Sequence, residues 1–364
     1  MSRLPAKPIP ADIERIVLVN PTKYLGNLLI AGGLIQRFHE HCLQHNRSLL
    51  VVLDDAFREL VRDALPAEIL LFYPRKQISQ GSPVQKLKAY LACLHGIRAY
   101  KADLAFNIEE DAVSHRLTQL SGARFRLGCS TVRHGRGYEH VVPISFSNRP
   151  EGAKHRWYSY LEMFSKLGMT RKRPRYMRLQ VAPLSGEKLQ MWGLEPEIPY
   201  IVMHAGATKD YKKWPLPNFI DLAGRIISRG ITVVLIGAGP DDSSANSQIF
   251  KAMKTKGLDT QCVDLSNRLK LHELAGLLSG AKAMVGNDSG PFHLAAALKV
   301  PGVVIFGPTD VDIWHPLSNT SVVIVGARAC DPACSRGNCV VDKRCLRSTK
   351  PGFVMNKILS KINS

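Results

Sequence analysis

Four short polar runs in this sequence hold residue types that bind anions or move protons. "HAGATKDYKKWP" (His204 to Pro215) sets Gly206, Ala207 and Thr208 directly before Lys209, Lys212 and Lys213. Small residues let a backbone approach a ligand closely, the threonine supplies a hydroxyl, and the ammonium groups match a diphosphate. "GNDSGPFHLAAALKVPGVVIFGPTD" (Gly286 to Asp310) sets Asp288, Ser289, Gly290 and His293 at the mouth of a helix. The first amides of a helix have no helical partner, so such a mouth takes anions, phosphate above all. Asp288 or Ser289 is expected to cap it, Pro291 is tolerated in its first turn, and His293 can reach a phosphate or a sugar hydroxyl. A plain capped helix with a partly buried histidine fits the turn equally well. "LIGAGPDDSS" (Leu235 to Ser244) offers Asp241 or Asp242 as an acceptor for ribose hydroxyls. "FNIEEDAVSH" (Phe106 to His115) offers Glu109, Glu110 and Asp111 as proton acceptors, or as an acidic helix start facing water.

Two signatures are missing. Without "GxxxxGK[ST]" ATP hydrolysis has no support, and without "GxGxxG" after the first strand a nicotinamide oxidoreductase is disfavoured.

Of the eight cysteines, Cys42, Cys93, Cys129 and Cys262 are scattered and read as buried or spare thiols. Cys330, Cys334, Cys339 and Cys345 crowd into "CDPACSRGNCVVDKRC", where four thiolates can hold a tetrahedral Zn or Fe ion. The spacing is looser than paired CxxC knuckles, so free thiols or a disulfide remain the alternative.

Elements of α/β type must position these runs. Strand-length apolar segments begin at Ile16, Leu49, Ile69, Asp103 and Arg124, and again at Tyr200, Ile231, Gln261, Ala283 and Gly302. Helix-length segments separate them, such as Leu216 to Gly230, where Phe219, Leu222, Ala223, Ile226 and Ile227 recur at helical spacing. Such alternation implies parallel sheets covered on both faces, and two series imply two Rossmann-like domains. A chain of 364 residues suits two domains. We place the boundary at Ala182, giving domains 1–182 and 183–364 with an expected cleft at the strands' carboxyl ends.

The composition is that of a soluble globular protein, with 45% hydrophobic and 22% charged residues and no membrane-length apolar run. The N-terminal apolar run is too short for a signal peptide, so a cytoplasmic protein is expected. A formal charge of +19 calls for an anionic partner or a basic surface without one. The basic residues cluster at "TRKRPRYMR" (Thr170 to Arg178) and are otherwise scattered over the N-terminal half, and no Arg/Gly-rich or aromatic-interleaved tract favours nucleic acid.

Together, the runs at His204 and Gly286 resemble those of glycosyltransferase family 9, the lipopolysaccharide heptosyltransferases. The resemblance covers the C-terminal half well and the N-terminal half loosely. It implies the GT-B fold, two facing Rossmann-like domains. It further implies inverting transfer of heptose from ADP-heptose to the anionic inner core of lipopolysaccharide, with no metal required for the chemistry. The protein would then be cytoplasmic or peripheral at the inner membrane face. By position, Lys212 resembles the lysine that meets the donor diphosphate, and Thr208 a hydroxyl beside it. Asp288, Ser289, Gly290 and His293 resemble the loop around phosphates and sugar, Asp241 or Asp242 the ribose acid, and Gly307 to Asp310 a neighbouring wall. Similar cysteine patterns occur in members that bind iron.

One position departs. The family's general base is the Asp of a Gly-Asp turn after the first strand, and here Gly26 is followed by Asn27, which cannot take a proton. Glu110 is the residue we expect to act as base, with Lys23 helping to hold anionic groups. A protein O-heptosyltransferase, a transferase using another nucleotide sugar, and a nucleotide-sugar-binding protein with weakened catalysis are the alternatives.

Overall fold

The computed structural model describes residues 6–129, 137–144, 155–170, 173–326 and 343–363. The chain divides into two compact units, Met1–Leu179 and Gln180–Ser364.

The first unit holds β1 (Arg15–Asn20), β2 (Ser48–Asp54), β3 (Leu70–Tyr73), β4 (Leu104–Asn107), β5 (Phe125–Cys129) and β6 (His140–Val142). They form one sheet in the order β3-β2-β1-β4-β5-β6, every pair parallel. β1 and β2 are almost unbroken runs of Val, Leu and Ile because helices cover both faces of a parallel sheet.

The second unit holds β7 (Tyr200–His204), β8 (Thr232–Leu235), β9 (Cys262–Asp264), β10 (Ala283–Asn287), β11 (Gly302–Phe306) and β12 (Ser321–Val325). Its order is β12-β11-β10-β7-β8-β9, again all parallel. Counted from the first strand of each unit, the two orders are the same. Winding reverses between β1 and β4 in one unit and between β7 and β10 in the other. Open parallel sheets bind ligands outside the carboxyl ends at that reversal.

The sheet of the second unit is anchored by the helix Leu216–Ile227, which buries Phe219, Leu222, Ala223, Ile226 and Ile227, the residues its periodicity selects. Gly230, at φ +73°, lets the chain turn out of that helix. Trp214 and the C-terminal helix Pro351–Ile362 complete this core.

Ten strands coincide with the apolar runs of the sequence, and two do not. β6 has three residues, too few for a periodic signal. β12, "SVVIV", carries a clear β-branched signal that the sequence reading passed over. Both are sheet edges. No helix among the described residues is long and apolar enough to cross a membrane.

Candidate active site

At the β7/β10 reversal, buried His204 ends β7 and ties three strand-end loops together. Its Nδ1 lies 2.9 Å from the Ser289 hydroxyl, and its Nε2 lies 3.3 Å from Asp242 Oδ2. With Asp242 ionised, Nε2–H donates to the carboxylate and Nδ1 accepts from Ser289. Burial works to raise the Asp242 pKa. The hydrogen bond from His204, the Ala238 amide at 3.0 Å and Lys213 outweigh it and hold the carboxyl below its ordinary value.

Glycine makes this approach possible. A Cβ on Gly206 would fall inside the Asp242 carboxylate, and one on Gly237 would lie 2.5 Å from Asp242 Cβ. The sequence left Asp241 and Asp242 as equals, and the structure separates them. Asp242 faces His204, whereas the Asp241 side chain is 83% exposed, 3.5 Å from Lys213 Nζ.

Ser289 occupies the N-cap position of the helix Gly290–Ala297, with Pro291 in its first turn, yet its side chain makes no capping hydrogen bond. The hydroxyl is engaged by His204 instead. Asp288, buried, is paired with Lys212 Nζ at 2.7 Å. The expected side-chain cap is therefore replaced by stronger charged and imidazole partners, and the helix mouth keeps its first amides free of a side chain from Ser289.

Buried Asn287 braces the same corner. Its Nδ2 donates to the Ala205 and Gly206 carbonyls at 2.8 and 3.2 Å, and its Oδ1 accepts from the Trp214 amide at 2.9 Å. Behind it, burial pushes the His293 pKa down to about 4, with Lys212 and His315 adding to the shift and Asp288 opposing it. His293 is thus neutral near pH 7.

A cavity of about 490 Å³ opens here, lined by His204, Thr208, Asp242, Ser289, Gly290 and Leu269 among others. Lys212, Asp288 and His293 form the adjoining group. The turn Gly307 to Asp310 does not line this cavity but lies against the loop that carries Lys212, where a Cβ on Gly307 would be 3.0 Å from the Tyr211 carbonyl oxygen. It follows β11, on the far side of β10 from β7 and β8. There Asp310 accepts from the Asp312 amide at 3.1 Å, capping a short helix.

The reversal in the first unit carries a second polar cluster. Glu109, buried just past β4, accepts from Asn27 Nδ2 at 3.0 Å, Tyr160 OH at 2.5 Å and Arg156 Nη2 at 3.1 Å. A buried carboxylate held by a guanidinium and two further donors is a satisfied structural ion pair. Asp111 caps the helix Ala112–Leu120, accepting the Val113 and Ser114 amides at 2.9 and 3.0 Å. Glu110 stands half-buried between them. Lys23 is exposed, 5.3 Å from the Tyr24 ring centroid.

Sequence reasoning missed His204, Asn287, Arg156 and Tyr160. The strand-end position of His204 and Asn287 was the available signal. No local signal linked the helix Arg156–Ser165 to Glu109.

Cys330, Cys334 and Cys339 lie outside the described residues, and Cys345 is buried in the core of the second unit. Among the described residues, no group of three His, Cys, Asp or Glu could hold a metal ion. Cys42, Cys93, Cys129 and Cys262 are buried, and burial pushes the thiols of Cys42, Cys93 and Cys262 up to about 12, 11 and 12.

The family description glycosyltransferase family 9 (heptosyltransferase) matches residues 90–343. Lipopolysaccharide heptosyltransferase 3 of Escherichia coli (strain K12) is 26% identical over 311 residues, covering 81% of this chain and 83% of that protein. Lipopolysaccharide heptosyltransferase 2 of the same strain is 36% identical over 151 residues, and that match spans 40% of this chain and only 42% of the relative's length. The solved ADP-heptose lipopolysaccharide heptosyltransferase II of E. coli is similar with a TM-score of 0.75 at 22% identity, covering 96% of this chain and 98% of that one. That likeness shows the fold, GT-B with two Rossmann-like domains.

Proposed function

We propose that this chain, which belongs to glycosyltransferase family 9 (heptosyltransferase), transfers heptose from ADP-heptose to the inner core of lipopolysaccharide, inverting the anomeric centre without a metal in the chemical step. The observation that carries this reading is the His204 bridge from Ser289 to Asp242 beside the Lys212–Asp288 pair, all at one sheet reversal.

In this reading the C-terminal domain, residues 183–364, takes the donor. Asp242 accepts the ribose hydroxyls. Lys212, Thr208 and the mouth of the helix Gly290–Ala297 meet the diphosphate, and Leu269 and Leu274 flank the base. The acceptor oxygen attacks the anomeric carbon opposite the diphosphate. The glycosyl C–O bond breaks, its electron pair passes to the departing ADP, and Lys212 with the helix amides stabilises that charge. The N-terminal domain, residues 1–182, takes the acceptor. Its hydroxyl loses a proton to Glu110, while Asn27, positioned by Glu109, orients it.

A second reading, a nucleotide-sugar-binding protein with weakened catalysis, is favoured by Asn27 standing where the family carries an acid. Incubation with ADP-heptose and a heptose-deficient core acceptor separates the two. A transferase releases ADP and adds one heptose to the acceptor by mass, whereas a binding protein retains donor affinity and releases no ADP.

A further inference from the structure

We propose that the outer face of the helix Pro83–Ala99 is the surface by which this chain lies on an anionic phospholipid bilayer. The helix starts firmly, with Pro83 in its first turn and a reciprocal Ser82–Gln85 capping box. Its inner face buries Ala89, Cys93, Leu94 and Ile97. On the outer face of such a helix, charged and polar residues are the rule. Here Val84, Leu87 and Leu91 stand there instead, 62%, 59% and 50% exposed. Their spacing of three and four residues puts them on one stripe. Lys88, His95 and Arg98 fall on the same face and are exposed.

Charge selects the occupant. No acidic residue occurs between Glu68 and Asp103, whereas Arg75, Lys76, Lys86, Lys88, Arg98 and Lys101 all do. A second copy of the chain would bring this cationic face against its own like. An anionic headgroup layer neutralises it and takes the apolar stripe into the headgroup boundary. Each Lys or Arg near such a surface strengthens partition roughly fivefold.

The placement agrees with the proposed function, on which the biological sense of the inference rests. This crossover helix connects β3 to β4 and runs against the strands, so Val84 and Leu87 lie toward the carboxyl ends, the end at which Asn27 and Glu110 stand, with Leu91 at the helix's middle. A lipid-borne acceptor would arrive from that side.

The test uses the full chain and vesicles of phosphatidylglycerol or of phosphatidylcholine, with neither donor nor acceptor present. The wild type should co-sediment with phosphatidylglycerol vesicles, less so at high salt, and poorly with phosphatidylcholine. Leu87→Ser/Leu91→Ser and Lys76→Glu/Lys88→Glu should each weaken partition about tenfold or more. Both variants should keep wild-type melting temperature, ADP affinity and transfer to a delipidated acceptor. Absent vesicle binding, or equal binding by wild type and both variants, overturns the proposal. So does a wild-type dimer that the leucine pair dissociates, or an acidic protein partner captured through this face in place of lipid. A wild type that binds vesicles but never transfers to the soluble acceptor counts against the proposed function and leaves the docking surface standing.

Discussion

Asn27 Nδ2 donates to Glu109 Oε1 across 3.0 Å, joining the first turn of the helix Leu25–Gln44, which follows β1, to the loop after β4. Because Arg156 and Tyr160 also hold that carboxylate, Glu109 serves as a clamp, which supports the proposal of Glu110 as the proton acceptor. Glu110→Gln should lower turnover by ~10²–10⁴-fold with donor affinity preserved. Glu109→Gln should instead destabilise the fold, since removing one partner of a buried ion pair costs about 3–5 kcal/mol. Single-turnover kinetics beside thermal melts separate the two effects. Wild-type turnover in Glu110→Gln ends its assignment as base, and a sharp gain in Asn27→Asp marks the natural protein as the weakened form.

Gly206→Ala tests the packing under Asp242. The added methyl cannot coexist with the present carboxylate position, so Asp242 must leave His204. ADP affinity should fall at least severalfold although Gly206 offers no side chain to a ligand. Tight ADP binding by the alanine variant would disconnect Asp242 from the nucleotide.

His293 predicts a pH dependence of stability. Its folded pKa of about 4 lies below the ordinary histidine value of 6.5. Between those values the unfolded chain binds the proton that the folded chain refuses. Stability is therefore full above about pH 6.5 and is lost as pH falls toward 4, by about 2 kcal/mol at pH 5. Urea midpoints at pH 7 and pH 5 should differ more in wild type than in His293→Gln. Parallel shifts in the two proteins would contradict the burial argument.

The cysteine run predicts metal. Protein purified under reducing conditions should carry about one Zn or Fe per chain. Cys339→Ser should lose that ion and some stability. Elemental analysis without stoichiometric metal in the wild type removes the assignment.

Much of this was readable in the sequence because burial on two faces writes strands as unbroken apolar runs. "RIVLVN", "SLLVVLD" and "GVVIF" can be little else, and the polar residues that follow β1, β4, β7 and β10 are those the two sheet reversals gather. Strand order was not readable, since nothing in β10 says that it pairs with β7 rather than β9. Side-chain partners across long separations were hidden as well. Ser289 reads as a cap until His204, 85 residues away in sequence, is seen to engage it. Glu109 reads as one acid of three until Arg156 and Tyr160 close over it.

The donor site stands or falls on Lys212, whose ammonium faces Asp288 at the helix mouth. A charge-assisted hydrogen bond contributes about 1.5–3 kcal/mol, so losing this cation should weaken diphosphate binding by roughly ten- to a hundredfold. Truncation also leaves the Asp288 carboxylate facing the incoming phosphates, which acts in the same direction. Lys212→Ala/Asp288→Asn removes both charges and controls for folding. Calorimetric titration of ADP should show the single variant binding most weakly, the double variant partly recovered and the wild type tightest. Equal ADP affinity in wild type and Lys212→Ala would contradict the account.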